Sequence, residues 1–289
     1  MVRGSCLCGD VAWEATGQFD LMSHCHCSMC RKTHGTAFAT WVATETSGFR
    51  MVRGGDGVAR YESSPGFQRC FCARCGSSVP RVPGDGEPGG ERVFVPAGCL
   101  DDDPGVRPLS HIFVGSKAPW FAISDDLPRF DAYPPGIGGE VKRGARAPAI
   151  REGALRGSCL CGAVAFELDA KPALLVHCHC SRCRKARAAA HNSNMFVREG
   201  ELRWVRGEDH VTQFELPEAD VFGTRFCSTC GSMTPRPGEQ SGAVPVSGGA
   251  LDDDPGDLPV IRIFCGSKAP WFEITGDQPA FDAYAPGRS

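Results

Sequence analysis

Seventeen cysteines are the residues of this 289-residue chain whose type and spacing most clearly indicate chemistry. Fourteen of them form two sets with the same spacings: a Cys-x-Cys pair, a Cys-x-Cys-x-x-Cys triplet and a Cys-x-x-Cys pair. In a reducing compartment, clustered cysteines bind metal more often than they form disulfides. The odd total also leaves one thiol over in any complete disulfide scheme. We therefore interpret the fourteen as zinc ligands.

The two kinds of cysteine pair predict a closed structural site in each set. A structural zinc site has four ligands, and the Cys-x-Cys and Cys-x-x-Cys pairs together supply four sulfurs. A glycine follows each pair and permits the tight turn behind it. The predicted ligands are Cys6, Cys8, Cys72 and Cys75 in the first set and Cys159, Cys161, Cys227 and Cys230 in the second. The alternative is that these are unligated buried thiols.

The triplets predict a different kind of site. Three protein ligands with an open fourth position are typical of catalytic zinc, and a soft all-sulfur triad favours another thiolate in that position. The candidate catalytic residues, as zinc ligands, are Cys25, Cys27, Cys30, Cys178, Cys180 and Cys183. A nearby histidine could instead close each site, the candidates being His24, His26, His34, His177, His179 and His191. The spacing leaves open and closed sites, and empty or oxidised ones, as alternatives.

Basic residues follow both triplets directly. Arg31 and Lys32 in the first set, and Arg184 and Lys185 in the second, are candidates for binding the carboxylates of a small peptide-like ligand. Ordinary solvent-facing charge is the alternative. The segment GSKAPWF also occurs twice, and its lysines and tryptophans are candidate pocket residues: Lys117, Trp120, Lys268 and Trp271. A core position is the alternative for the two tryptophans.

The chain repeats itself at an offset of about 150 residues. GSCLCG, HCHCS, LDDDPG, GSKAPWF and FDAY each occur twice in the same order. We predict a first domain at residues 1–136, a linker at 137–153 and a second domain at 154–289. Three cysteines have no counterpart in the other copy and are interpreted as buried or surface thiols: Cys70, Cys99 and Cys265.

The elements that must position these cysteines are predicted to be mainly β. Short stretches rich in Val, Phe, Trp or Thr predict strands, and no long stretch has a helical period. The predicted strands are 11–14, 38–42, 49–53, 58–61, 92–95 and 112–114. A small domain with many loops would be stabilised by metal crosslinks.

Charge and hydropathy exclude some classes of function. The formal net charge is −3, so no general attraction to nucleic acid or anionic membranes is expected. No basic stripe or recognition-helix pattern follows the cysteine pairs, and no apolar run reaches the roughly 20 residues of a membrane-spanning helix. The amino-terminal residues lack the apolar core of a signal peptide, so we expect a cytoplasmic protein.

The assembled motifs resemble the glutathione-dependent formaldehyde-activating enzyme family, which also includes centromere protein V. The matching elements are GSCLCGxVxxE, HCHCSxCRK and FCxxCGS, present in both copies. The resemblance implies a β-rich zinc fold related to a small Rab-binding chaperone. It also implies a structural zinc on the cysteine pairs and a catalytic zinc on each triplet, up to four zinc ions per chain.

The implied activity is that of a carbon–sulfur lyase. Glutathione or a similar thiol would add reversibly to formaldehyde, giving S-hydroxymethylglutathione. The first copy follows the family's Gly-x-x-Phe pattern after its triplet, whereas the second has Ala188 and His191 there. If one copy alone is active, this pattern favours the first.

Three hypotheses follow from the sequence. The leading one is a zinc-dependent enzyme that handles a thiol and an aldehyde as its small-molecule partners. The second is a non-catalytic, zinc-stabilised module that binds a protein, and the third is a thiol-based redox or metal sensor. The equal size and motif order of the copies are compatible with an intramolecular pseudo-dimer.

Overall fold

The computed structural model describes residues 1–84, 86–87, 89–136, 143–147, 151–238 and 242–286. Part of the predicted linker, at 137–142 and 148–150, lies outside the described residues. Across the described ranges, no helix has the length and apolar character needed to cross a bilayer.

Both copies consist of short strands with one short helix placed after the third strand. The first copy contains β1 Val2–Ser5, β2 Ala12–Ala15, β3 Phe19–Cys25, α1 Ser28–His34, β4 Ala39–Glu45, β5 Phe49–Arg53, β6 Val58–Ser64, β7 Phe67–Cys72, β8 Ser78–Val79, β9 Arg92–Pro96 and β10 His111–Ile112. The second contains β11 Leu155–Ser158, β12 Ala165–Leu168, β13 Leu175–Cys178, α2 Ser181–Arg187, β14 Asn194–Arg198, β15 Leu202–Arg206, β16 Val211–Glu215, β17 Gly223–Cys227, β18 Ala243–Ser247 and β19 Val260–Ile263. This architecture confirms the predicted mainly β fold with two tandem copies.

The strands form corresponding sheets in the two copies. The first copy has sheets in the orders β1-β2-β5, β10-β3-β4-β9 and β6-β7-β8, and the second has β11-β12-β15, β18-β14-β13-β19 and β16-β17. Most pairings are antiparallel, but the last strand of each copy runs parallel to the third. That parallel pairing places the end of each copy beside the strand that leads into its triplet.

The predicted strands agree with the structure except at the last position. The predictions at 49–53, 58–61 and 92–95 fall within β5, β6 and β9, and those at 11–14 and 38–42 overlap β2 and β4. The prediction at 112–114 is wrong beyond residue 112, because Phe113 has a left-handed backbone (φ 58°) and a short 3-10 turn, Val114–Ser116, follows. The helices α1 and α2 have seven residues each, which is too short to show a period in the sequence.

The hydrophobic core joins the two copies. A cluster of buried side chains contains Trp13, Phe19 and Met22 of the first copy together with Phe214 and Trp271 of the second. Trp271 is 2% exposed, in agreement with the core alternative for the aromatic of GSKAPWF. Burial of this apolar surface stabilises the contact between the copies.

Reciprocal ion pairs also connect the copies. The Nζ of Lys32 lies 2.7 Å from Oδ1 of Asp252 and 2.7 Å from the carbonyl oxygen of Ser158, and both partners belong to the second copy. In the corresponding place, Lys185 lies 2.5 Å from Asp101 of the first copy. The Lys32 pair is almost completely buried, with side-chain exposures of 4% and 1%, whereas the Lys185 pair is partly exposed.

Two glycines permit the close backbone approach beside these ion pairs. A Cβ on Gly98 would lie 2.1 Å from the backbone nitrogen of Ala189, and one on Gly249 would lie 2.2 Å from the carbonyl oxygen of Arg31. Each glycine therefore packs directly against the backbone near the end of the other copy's helix, where any larger residue would clash.

Candidate metal centres

Each copy brings its two cysteine pairs together into a four-sulfur cluster. Cys6, Cys8, Cys72 and Cys75 have sulfurs within 4.8 Å of one another, as do Cys159, Cys161, Cys227 and Cys230. Each cluster joins the loop after the first strand to the turn after the seventh strand. The turn glycines Gly76 and Gly231 have φ values of 76° and 71°, a conformation that glycine adopts without steric strain.

The sulfur spacing in these clusters fits a tetrahedral zinc ion. Zn–S bonds of ~2.3 Å in a tetrahedron place the sulfurs about 3.8 Å apart. The Sγ atoms of Cys8 and Cys72 lie 3.7 Å apart, and those of Cys161 and Cys227 lie 3.8 Å apart. All of these cysteines are free thiols. The donor set is therefore suited to a soft or borderline metal ion such as zinc.

The triplets are built around the helix that follows the third strand. Cys25 ends β3, Cys27 caps α1, and Cys30 lies in its first turn, where its backbone N–H donates to Sγ of Cys27 at 3.3 Å. Cys180 and Cys183 repeat this contact at 3.4 Å at the start of α2. The three sulfurs of each triplet lie within 4.8 Å of one another.

No histidine nitrogen joins either triplet cluster in the part of the chain that the structure describes. The first-copy histidines bond elsewhere, His24 to Thr40 at 2.8 Å and His34 to the carbonyl oxygen of Arg187 at 2.7 Å. Nε2 of His26 lies 2.8 Å from Nδ1 of His111. In the second copy, ring nitrogens of His177 and His191 contact the 192–193 segment, while His179 is buried and packs against aromatic rings. Closure of the sites by a histidine, one of the sequence alternatives, is therefore not what the geometry favours.

Crowding and burial set the acidity of the triplet thiols. Hydrogen bonding with Cys27 and Cys30, followed by burial, raises the pKa of Cys25 well above its usual range. Hydrogen bonds from Cys25 and Cys27, assisted by the charge of Arg69, lower the pKa of Cys30. The cluster thus favours one thiolate, and a bound cation would supply the charge that ionises the others.

Each triplet has a polar contact that the sequence did not identify. In the first copy, Nη1 of Arg69 donates to Sγ of Cys30 at 3.8 Å, and Arg69 is 7% exposed. In the second copy, the side-chain amide of Asn192 donates to Sγ of Cys183 at 3.2 Å. These residues lie at unlike positions in the two copies, so alignment of the repeats does not reveal them as counterparts.

The two triplets differ in access. Cys178, Cys180 and Cys183 line a cavity of about 510 Å³, the second-copy cavity, together with aromatic and arginine side chains. The corresponding first-copy cavity has a volume of about 260 Å³ and is lined by Trp41 and Arg69, without any cysteine of the triplet. A cavity therefore reaches the second triplet, where Cys180 is partly exposed, whereas Cys25, Cys27 and Cys30 are each 5–6% exposed.

The sequence model of the family described as glutathione-dependent formaldehyde-activating enzyme matches residues 1–116 and 154–267. These segments cover more than half of the chain and contain all fourteen clustered cysteines. The chain belongs to this family. Its two matched segments show that the family domain occurs twice.

Individual relatives of this family member are distant. A protein of Halomonas elongata named "Putative glutathione-dependent formaldehyde-activating enzyme" is 29% identical over 135 residues, which cover 43% of this chain and 81% of the relative. A protein of Schizosaccharomyces pombe named as an uncharacterized lyase is 30% identical over 77 residues, 27% of this chain and 54% of the relative. A crystal structure of a Rhodobacter sphaeroides protein matches with 25% identity and a TM-score of 0.28, covering 37% of this chain and 91% of that one.

The basic residues after the family's cysteine triplet are largely buried. Lys32 and Lys185 bond to acidic residues of the opposite copy, so their ammonium groups connect the copies instead of facing a ligand. Burial lowers the pKa of Arg31 and of Arg184. Ligand binding by these arginines stays a prediction.

The GSKAPWF segments lie between the two copies. Lys117 and Lys268 donate to the carbonyl oxygens of Phe121 and Phe272, each at 3.0 Å, and so fold their own segments. Phe121 packs against His177 of the second copy, with ring centroids 6.1 Å apart. A small cavity of about 100 Å³ between the copies is lined by Trp120 and several of these rings. Trp120 therefore lines this cavity, whereas Trp271 is 2% exposed, belongs to the core and lines a different cavity together with Lys268.

A histidine pair connected to a carboxylate also lies at this contact. Nε2 of His111 is 2.9 Å from Oδ1 of Asp125, and Nδ1 of His111 faces His26. His111 aligns with Arg262 in the second copy, so comparison of the repeats does not identify it as a shared site residue. Asp125 was not identified, because a lone acidic residue 14 positions away carries no motif.

Proposed function

We propose that this protein is a zinc-dependent carbon–sulfur lyase that adds a low-molecular-weight thiol, glutathione or a similar one, to formaldehyde or a related aldehyde. The observation that carries the proposal is the three-sulfur cluster, which has no fourth protein ligand in the described parts of the chain. Membership of the formaldehyde-activating family and the name of the Halomonas relative support it.

The reaction balances without an oxidant or reductant. The thiol loses its proton to solvent, and its sulfur forms a bond to the aldehyde carbon. The electron pair of the carbonyl π bond moves to oxygen, which takes a proton from solvent, and the product is an S-hydroxymethyl thioether. The reverse sequence of bond changes releases the aldehyde.

Different residues of the chain would have different roles in this reaction. Cys25, Cys27 and Cys30, or their counterparts in the second copy, would hold the zinc ion. When bound, zinc would supply a Lewis acid that keeps a thiol ionised near neutral pH. Asn192 donates a hydrogen bond to Cys183 and so stabilises negative charge on that sulfur. The four-cysteine clusters would hold structural zinc and fix the loops on which each domain depends.

Two further parts of the proposal concern the arrangement of the domains and the cellular location and partners of the protein. The buried contacts between copies support a pseudo-dimer within one chain, with domains at 1–136 and 154–289 joined by a linker. We also place the protein in the cytoplasm, where thiols stay reduced and glutathione is abundant, and we assign it no nucleic-acid or membrane partner.

The burial of the first triplet favours a second role for that copy. Cys25, Cys27 and Cys30 are each 5–6% exposed, and Arg69 covers one of the sulfurs. Such a site suits a structural metal, so the first copy could serve as a non-catalytic support or protein-binding module.

Exchange spectroscopy tests the activity. Formaldehyde adds to thiols unaided, so the measurement is the rate of exchange between free glutathione and its hydroxymethyl adduct by NMR at equilibrium, with and without the zinc-loaded protein. We expect acceleration by the wild-type chain. A variant with both Cys180→Ser and Cys27→Ser should lose it, whereas Cys265→Ser, outside every cluster, should keep it. Equal rates with and without the wild-type protein would contradict the proposal.

A further inference from the structure

The two triplets share their spacing but differ in what covers them. All three first-copy cysteines are buried, and they pack in one cluster with Phe113 and, at its edge, Met29 and Trp41. In the second copy Cys180 is partly exposed, and all three cysteines line the second-copy cavity. The difference must come from residues outside the cysteine motif.

Strand pairing identifies two of those residues. Trp41 pairs with Pro96 in the first copy, and Asn194 occupies the same register opposite Ser247 in the second. Arg69 pairs with Tyr61, and Thr224 occupies the same register opposite Phe214. In both cases a large side chain of the first copy is replaced by a small one in the second.

These replacements explain why one cavity reaches its sulfurs and the other does not. In the first copy, Trp41 and Arg69 line the cavity themselves, and Arg69 contacts Cys30. In the second copy, Asn194 and Thr224 line the cavity, which extends to the cysteines and has about twice the volume. Trp41 and Arg69 therefore stand between cavity and triplet in the first copy.

Arginine side chains also line the second-copy cavity. Its lining includes Arg182, Arg187, Arg225 and Arg236, and no aspartate or glutamate among the described residues lines it. Glu215 pairs with Arg225 from the exposed side. Arg187 belongs to α2, one helical turn after Cys183, and its guanidinium donates to Oδ1 of Asn194 at 3.2 Å. The first copy has His34 at this position of its helix.

We propose that thiol exchange takes place at the second triplet alone and that Trp41 and Arg69 close the first triplet. Arg187 selects thiols that carry a carboxylate or another anionic group. The inference rests on the proposed function and assigns its site within the chain. A guanidinium in a partly dehydrated cavity forms strong charge-assisted hydrogen bonds with carboxylates. A metal ion held by Cys178, Cys180 and Cys183 would accept the sulfur of such a thiol without electron transfer, the thiol's proton would pass to solvent, and a departing thiolate would take a proton from solvent.

This assignment opposes the preference for the first copy that the Gly-x-x-Phe pattern suggested. The pattern residue Phe38 is 3% exposed and packs against His24, with ring centroids 4.6 Å apart, and against the other copy. It lines the small cavity between the copies and not the cavity beside either triplet. Phe38 therefore contributes to the contact between the copies, and the Gly-x-x-Phe pattern does not indicate which triplet is active.

Cobalt substitution with matched closing and opening variants tests the site assignment. Glutathione is titrated into the cobalt-loaded full chain, and the sulfur–cobalt absorption is followed. Asn194→Trp introduces the first-copy residue and should raise the glutathione concentration needed for the spectral change by at least about tenfold. Trp41→Asn, the reverse substitution, should leave the wild-type response in place or add a second one. Retention of the wild-type metal content shows that each variant is folded.

The outcomes separate the inference from the function on which it rests. No response of the wild-type chain to glutathione would contradict the proposed function. A response that persists in Asn194→Trp and disappears in Cys27→Ser would overturn the inference and leave the function standing.

A second measurement does not use cobalt. The zinc-loaded chain is treated with a thiol-alkylating reagent, and its peptides are analysed by mass spectrometry. Cys180 should react before Cys27, and the opposite order would also overturn the inference.

A single substitution tests the role of Arg187. Arg187→His again introduces the first-copy residue. It should weaken the response to glutathione by about tenfold or more, as loss of a hydrogen bond to a charged group does, while the response to the uncharged thiol 2-mercaptoethanol stays within about twofold of the wild type. Equal weakening for both thiols would mean that Arg187 supports the fold and does not select anions.

Discussion

Replacement of Lys32 by methionine tests how strongly the two copies depend on each other. The Nζ atom has three partners in the second copy: Asp252 at 2.7 Å, the Ser158 carbonyl oxygen at 2.7 Å and the Ser158 hydroxyl at 2.8 Å. Burial lowers the pKa of Lys32, and the charge of Asp252 opposes that shift. The pair is therefore dehydrated, and each charge depends on the other.

The expected magnitude follows from burial. In the part of the chain that the structure describes, Lys32→Met leaves the buried Asp252 carboxylate with hydrogen bonds from the Ser158 hydroxyl and the Ala147 amide. Removing one partner of a buried pair destabilises a protein by about 3–5 kcal/mol. The matched control is Lys185→Met, whose pair with Asp101 has side-chain exposures of 21% and 35%. A pair this exposed contributes about 0–1 kcal/mol.

Urea unfolding of the zinc-loaded chain measures both values. The free energy of unfolding is extrapolated to water for the wild type, each single variant and Lys32→Met with Asp252→Leu. The double variant should recover part of the loss, because it removes the uncompensated charge. A loss for Lys32→Met below about 1 kcal/mol, or no larger than that for Lys185→Met, would refute the reasoning.

Three further predictions concern packing, pH and metal. Gly98→Ala should destabilise the protein by about 1–3 kcal/mol or more in thermal unfolding, because its methyl group would overlap the Ala189 backbone. The control Gly55→Ala, which has open space around it, should change stability by less than about 1 kcal/mol. Burial lowers the pKa of His191 to about 4, so the unfolded chain binds the proton more tightly and the free energy of unfolding should fall as pH drops from about 6.5 towards 4. His191→Phe introduces the first-copy residue and should reduce this dependence of stability on pH. An unchanged pH dependence would show that other groups cause it. Cys75→Ser should remove about one zinc ion per chain by elemental analysis, since four sulfurs close that site, and an unchanged zinc content relative to Cys70→Ser would count against the cluster.

The cysteine motifs allowed the clusters to be predicted because repetition reveals which sulfurs belong together. Cys6 and Cys72 are far apart in sequence, yet both pairs occur in both copies and in the same order. The duplication was predictable from the same repeats, and the mainly β fold from short stretches rich in Val, Phe, Trp or Thr. The short helices could not be predicted, because each has seven residues and no long apolar stripe. A capping cysteine precedes each helix, and a residue with a left-handed backbone follows it.

The residues that decide access could not be predicted from spacing. Arg69 lies 39 positions after Cys30, and Lys32 lies 126 positions before Ser158. Contacts at these separations depend on which strand occupies which edge of a sheet and on how the copies face each other. Comparison of the repeats shows that Trp41 and Asn194 differ in size, but only the structure shows that this position separates the cavity from the triplet.

The most direct test of the central claim is the metal content of the purified chain, combined with glutathione titration of its cobalt-substituted form. The account predicts about four metal ions per chain and a change in the sulfur–cobalt spectrum on addition of glutathione, because a three-cysteine site accepts a further thiolate. Four metal ions with a spectrum that glutathione does not alter would mean that the triplets are closed, and would contradict the account.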